Sequence, residues 1–317
     1  MSSNNINLPE AEKLSLFIKT EAKALGFFDC GISKVALLKK DSERVEQWLE
    51  NGHHASMKYM ERNREKRYNP ELLVEKAKSV ITVLYNYFPK TKIPQENNFK
   101  ISKYAYGIDY HYVIKKKLNK LLALIEEKTG DRVARVFVDS APVLDRAWAA
   151  QSGLGFIGKN TLLINKKGGS FFFIGQIILD LDLAYNKNNH FTNYCGTCTA
   201  CIDVCPTQAL KPFEVDARKC ISFLTIENRD EIPGKFKGKM NDWIFGCDLC
   251  QDVCPWNIRF ATPHNEPLFD PAPELVAMRK PQWKKLDKPT FKKLFKHTPV
   301  ERTGYKGLMR NIHFTEK

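Results

Sequence analysis

Residues 195–210 read CGTCTACIDVCPTQAL, four cysteines spaced C-x2-C-x2-C-x3-C with a proline after the last. Bacterial ferredoxins hold iron–sulfur cubes at this spacing: three close thiolates grip one cube, and the fourth, turned away, ligates a second. A second ligand run is therefore expected downstream. CDLCQDVCPWN (247–257) supplies Cys247, Cys250 and Cys254, again followed by proline. A full copy would need a cysteine at position 244, where Ile244 stands, so Cys220 in RKCISFLTIEN is recruited to complete the count. The expected allocation is Cys195, Cys198, Cys201 and Cys254 for one 4Fe–4S cluster, and Cys205, Cys220, Cys247 and Cys250 for the other. Structural zinc competes for C-x2-C pairs. Three cysteines in a row, Cys-Pro after each run and the lack of histidine between Cys195 and Cys254 favour the clusters.

Only Cys30 of the nine cysteines lies outside this region. It is expected as a buried core thiol. Such crowding fits ligation rather than disulfides. The N-terminus, MSSNNINLPEAEKLS, has neither an apolar signal region nor a twin arginine, and no apolar run is long enough to span a bilayer, so a cytoplasmic protein without a membrane partner is expected. The net charge of +14 is uneven: residues 279–317 hold 12 Lys/Arg against 3 Asp/Glu. With KYMERNREKR (58–67) and KKKLNK (115–120), this tail reads as a surface for a polyanion, with a packed amphipathic segment as the other reading.

Upstream of the cysteines, helices and strands alternate. Helical periodicity runs over 10–25, with Gly26 as its C-cap, and again over 110–128. SVITVLYNYF (79–88), RVARVFVDS (132–140) and GSFFFIGQIILDL (169–181) read as strands. SAPVLDRAWAAQSG (140–153) reads as a helix capped by Ser140, with Pro142 in its first turn. Asp139 then falls where a strand gives way to a helix, where ligands gather in alternating α/β domains; an Asp that merely caps the helix is the plainer reading. The polar stretch AYNKNNHFTN (184–193) marks a boundary. The expected organisation is a catalytic domain over 1–185, a cluster domain over 186–268 and a basic tail over 269–317. Two clusters make an electron relay, so the first domain must hold what receives the electrons.

DSAPVLDRAWAAQSGLGFIGKNTLLI, the first cysteine run, CISFLTIE and GCDLCQDVCPWN together resemble the epoxyqueuosine reductases, from about residue 57 to residue 311. The resemblance implies an α/β (α+β) fold: a cobalamin-binding domain related to that of reductive dehalogenases, followed by a ferredoxin-like domain with two 4Fe–4S clusters. It implies reduction of epoxyqueuosine at the tRNA wobble position to queuosine, the last step of queuosine biosynthesis. In that reaction base-off cobalamin, as cob(I)alamin, attacks the epoxide, and the clusters and an external donor supply electrons to a monomeric enzyme. Asp139 corresponds to the family's proton donor, a role that favours a desolvated carboxyl with a raised pKa. Arg62, Ser102, Asp139, Lys159, Asn160 and Ser222 correspond to cobalamin contacts.

A D-x-H-x-x-G cobalamin loop is absent, since DYHYVI (109–114) begins like one but ends in isoleucine. Two departures stand out. The family's PVLER is PVLDR here, and Asp145 is expected to keep the charge. Many members also continue into a helical-repeat region, whereas this chain stops at residue 317 and leaves tRNA to the basic tail. The alternatives are a dehalogenase-like corrinoid reductase of small molecules, which usually carries a twin-arginine signal, and an electron carrier or iron–sulfur RNA-binding protein with no active site.

Overall fold

The strand Ser79–Asn86 is buried on both faces, and this decides the architecture. The computed structural model describes residues 9–186 and 193–316. The first eight residues of the N-terminal stretch, and residues 187–192 of the expected boundary, lie outside them. The main sheet has the strand order Asp29–Lys34, Ser79–Asn86, Phe172–Leu179, Ala134–Phe137. All three pairings are antiparallel.

Side chains alternate across the pleat. Ile81, Val83, Ile177 and Leu179 face the helices Glu10–Ala24 and Tyr110–Thr129, meeting Leu14, Ile18, Ile114 and Leu118. On the other face Val80 and Ile178 meet Trp148, and Leu84 meets Ala149 and Ala150, all on the helix Asp145–Gln151. Two glycines let these layers close. A Cβ at Gly175 would come 2.7 Å from Leu118 Cδ1, and one at Gly31 would come 2.9 Å from Ser152 Cβ. Gly26, at φ +90°, ends the first helix as expected, with its N–H on the Lys23 carbonyl. Cys30 lies in the core, where burial pushes its thiol up to about 12.

Two expectations change. The sheet is antiparallel, so the strand-end argument drawn from parallel sheets does not place Asp139. The strand also ends at Phe137, and the helix begins only at Asp145. Asp139 turns into the left-handed region at φ +53°, and Ala141, restricted by Pro142, prolongs the turn. Ser140 bonds back to the Val138 carbonyl at 3.2 Å instead of capping the helix.

From residue 193 the chain forms short helices among the cysteines: Ala200–Asp203, Ile221–Ile226, Leu249–Asp252 and Pro255–Phe260. Cys254 occupies the cap of the last with extended backbone, and Pro255 takes the first helical position, where its missing N–H costs nothing. Trp243–Phe245 pairs in parallel with Lys100–Ile101 and so joins the two halves of the chain. A second core surrounds this joint, drawing Phe99, Ile101 and Tyr106 from the first half and Trp283, Phe291, Phe295, Leu308 and Ile312 from the basic segment. The helix Lys288–Phe295 buries its two phenylalanines and leaves Lys288, Lys292 and Lys293 exposed. Among the described residues no helix is long and apolar enough to cross a membrane.

Trp283 is fully buried. Replacing it with alanine is expected to cost about 3–5 kcal/mol of stability, read as a lower urea midpoint; an unchanged midpoint would mean that the C-terminal helices lie on the core without belonging to it.

Candidate active site

Asp139 stands at the centre of a polar group built from three parts of the chain. Asp109 caps the helix Tyr110–Thr129, its carboxylate accepting from the His111 N–H at 2.9 Å. The first helical turn then presents Tyr110 and His111 side by side. The Tyr110 hydroxyl donates to Asp139 Oδ2 at 2.5 Å. His111 Nε2 lies 3.6 Å from the same oxygen, and His111 Nδ1 lies 2.7 Å from Asp109 Oδ1. Tyr110 is fixed by a parallel stack on Phe173, with ring centroids 4.2 Å apart. From the C-terminal segment comes Arg302, held by Glu227 at 2.8 Å, whose charge reaches Asp139.

The Asp139 side chain is 54% accessible. Burial pushes its pKa up, as expected for a proton donor. The nearby His111, the hydrogen bond from Tyr110 and the charge of Arg302 together outweigh burial and hold it below the usual carboxylate range. Asp139 is therefore a carboxylate in this state, which corrects the expected raised pKa. For His111, burial works against the charge, but Asp109 and Asp139 prevail and raise it to about 9. At neutral pH the exchangeable proton of the group sits on the imidazole. Asp145 also departs from expectation. Burial first and Asp139 second push its carboxyl up to about 7, so its charge is only partly kept, and its Oδ1 is buried without a partner.

The eight clustered cysteines gather in two sets. Cys195, Cys198, Cys201 and Cys254 line one cavity of about 160 Å³ together with Lys159, Asn160 and Trp256. In the other set, Cys220 lies within electrostatic reach of Cys205, Cys247 of Cys220 and Cys250, and Cys250 of Cys205 and Cys220. Cys250 also reaches Cys201, so the sets adjoin. Among the described residues no three His, Cys, Asp or Glu side chains converge on a single ion.

The residues expected at cobalamin divide. Lys159 Nζ donates to the carbonyls of Gly196 and Cys198 at 2.7 and 2.9 Å, and Asn160 Nδ2 donates to that of Cys250 at 3.2 Å. Ser102 Oγ bonds Asp248. These three are engaged with the cysteine loops. Arg62 is exposed and Ser222 partly so. Among the described residues no side-chain hydrogen bond or ion pair engages either one. These two free donors, and a half-exposed Asp139, fit a large amide-rimmed cofactor.

Sequence reasoning passed over Tyr110, His111 and Arg302. The signal for the first two was the Asp-x-His at 109–111, read only as a failed cobalamin loop. Arg302 had no local signal. The basic clusters prove partly structural: Arg67 is buried, donating to the Tyr59 and Arg62 carbonyls, and Lys117 binds the Leu25 carbonyl and Glu266.

Residues 194–257 match the family model of a 4Fe–4S double cluster binding domain, and residues 67–140 match that of epoxyqueuosine reductase QueG, DUF1730. The chain is 54% identical over 304 residues to an epoxyqueuosine reductase of Cellulophaga algicola, covering 96% of this chain and 98% of that protein. It superposes with a TM-score of 0.86, at 28% identity, on a crystal structure of epoxyqueuosine reductase with an epoxyqueuosine-modified tRNA-Tyr stem loop, covering 95% of this chain and 80% of the other. A catabolic reductive dehalogenase in complex with 3-bromo-4-hydroxybenzoic acid shares the fold at 16% identity and a TM-score of 0.53, covering 82% of this chain and 34% of the other.

Lys103 is buried between Asp248, at 3.3 Å, and Asp252, at 2.6 Å, beside Cys247 and Cys250. Lys103→Met strands the buried Asp248 and is expected to cost about 3–5 kcal/mol. Iron should then be lost to a chelator faster than from the unaltered protein; equal stability and equal iron retention would contradict this.

Proposed function

The chain belongs to the epoxyqueuosine reductase family, and from that premise we propose that it reduces epoxyqueuosine at the wobble position of tRNA to queuosine. The observation that carries this reading is a half-exposed carboxylate, hydrogen-bonded by a tyrosine and flanked by a histidine, in a body whose other half gathers two cysteine quartets. Cys195, Cys198, Cys201 and Cys254 would hold one cluster, and Cys205, Cys220, Cys247 and Cys250 the other. Arg62 and Ser222 would meet cobalamin directly, while Ser102, Lys159 and Asn160 would hold the cysteine loops that border it. When bound, cobalamin would supply a low-valent nucleophile for the epoxide, with reducing equivalents available through the two clusters from an external donor. A monomer in the cytoplasm, where tRNA is found, completes the proposal.

Asp139 delivers the proton to the opening epoxide oxygen. A bound substrate strips water from the carboxylate, which raises its pKa toward the acid form. Tyr110 and the left-handed turn at Asp139 hold the carboxyl in place meanwhile. Arg302 adds positive potential where the oxygen becomes negative. The exposed lysines of the helix Lys288–Phe295 and Lys296 offer charges to tRNA phosphates. A small-molecule substrate would have no use for them, and the likeness to the dehalogenase is one of fold alone.

The direct test is anaerobic. The reconstituted protein with cobalamin, reductant and epoxyqueuosine-containing tRNA should yield queuosine by mass spectrometry of the digested tRNA; no conversion with both cofactors bound would defeat the reading. Asp139→Asn should lower turnover by about 10²–10⁴-fold with iron and cobalamin content intact. Cys220→Ser should remove half the iron, and a full iron complement would break the allocation. Lys292→Gln with Lys296→Gln should weaken tRNA binding and flatten the slope of log affinity against log salt by about 1–2; an unchanged slope would move the tRNA surface elsewhere.

A further inference from the structure

Reducing an epoxide to an alkene consumes two electrons and two protons: both C–O bonds break, one C=C bond forms, and the oxygen leaves as water. Asp139 can hold one proton at a time, so each turnover needs the carboxyl to be recharged. We propose that His111 stores the proton between deliveries and passes it to Asp139, acting through that carboxylate as a positioning residue. This rests on Asp139 being the donor to the epoxide oxygen.

The geometry is that of a relay. Asp109 Oδ1 lies 2.7 Å from His111 Nδ1 and fixes the ring, so Nε2 is the nitrogen turned toward Asp139, 3.6 Å away. Tyr110, stacked on the imidazole with centroids 4.2 Å apart, holds the ring's plane and anchors the shared oxygen. The charged and titratable groups around the imidazole are Asp109 and Tyr110 on its own helix and Asp139 across from it. Beyond Asp139 lie Arg302 and Asp145, whose charges act on it. Two carboxylates flank His111 directly, which explains a proton retained to about pH 9. The proton moves from Nε2 to Asp139 Oδ2, the imidazole becomes neutral, and Asp109 remains ionised. The epoxide oxygen then takes the proton from Asp139, and solvent recharges His111 through its accessible edge. The electrons come from the external donor of the established reaction.

The test uses the reconstituted holoenzyme and epoxyqueuosine-containing tRNA. Single-turnover rates are measured against pH for the unaltered protein, His111→Gln, His111→Ala with and without added imidazole, Asp145→Asn and Asp139→Asn. The unaltered rate should fall as pH rises through about 9, where His111 loses its proton. His111→Gln should be slower by about 10²-fold and lack that limb. Imidazole should restore His111→Ala with a limb that follows the added base. In ¹⁵N-histidine-labelled protein one imidazole should titrate near pH 9, vanish in His111→Gln and shift down in Asp139→Asn. A limb near pH 9 that persists in His111→Gln, or moves with Asp145→Asn instead, overturns the proposal. Substantial turnover by Asp139→Asn would defeat the underlying role of Asp139, whatever the histidine variants do.

Discussion

Asp248 is the residue through which the two halves of this chain are fastened. It sits between two cysteines of the second quartet, almost wholly buried, and is answered from the first half by the Ser102 hydroxyl, the Lys103 N–H and the Lys103 ammonium. A carboxylate taken out of water is tolerated only when its charge is paired and its lone pairs are filled. Burial of Asp248 therefore requires the 100–103 segment to lie against the cysteine loop. The short parallel pairing of Lys100–Ile101 with Trp243–Phe245 continues the same seam. Cys247 and Cys250 are thereby positioned by the fold that positions Asp139.

The route between the carboxylate and the cysteines is short and aromatic. Tyr110, bonded to Asp139, packs on Tyr104 at 6.2 Å, and Tyr104 packs on Phe245 at 6.1 Å, two residues before Cys247. The Asp139 carboxylate and the cysteine loops are thus joined through one set of packed rings. Arg302 closes the arrangement from the C-terminal segment, which therefore reaches Asp139 as well as the second core.

What could be read in advance follows the range of each interaction. Ligand spacing is local, so the double-cluster run could be read from the sequence and the cysteines, Cys220 included, could be allotted by counting. Helix periodicity is local too, and 10–25 and 110–128 were found nearly to the residue. Pairing direction is not local: 79–86 and 172–179 read as strands, but nothing in their apolar runs distinguishes antiparallel from parallel neighbours once both faces are covered. Asp139 was picked out by resemblance, while its state of charge depends on His111, 28 residues earlier, and on Arg302, far downstream. Asp145 shows the limit of charge-for-charge reasoning, since a buried carboxyl with an unpartnered oxygen does not keep its charge merely by being acidic.

The second core has a consequence for how the protein is made. Its walls come from residues 93–106, from 244–245 and from Leu308 and Ile312 of the helix Gly304–Glu316. During synthesis that core cannot close until this helix has been made. All eight clustered cysteines have emerged by Cys254, 58 residues before Ile312. At ordinary elongation rates this interval lasts about 3–12 s. The cysteine loops are then exposed while the antiparallel sheet behind them has all its strands. The order of residues along the chain thus provides an interval for iron delivery before the C-terminal helices seal the seam.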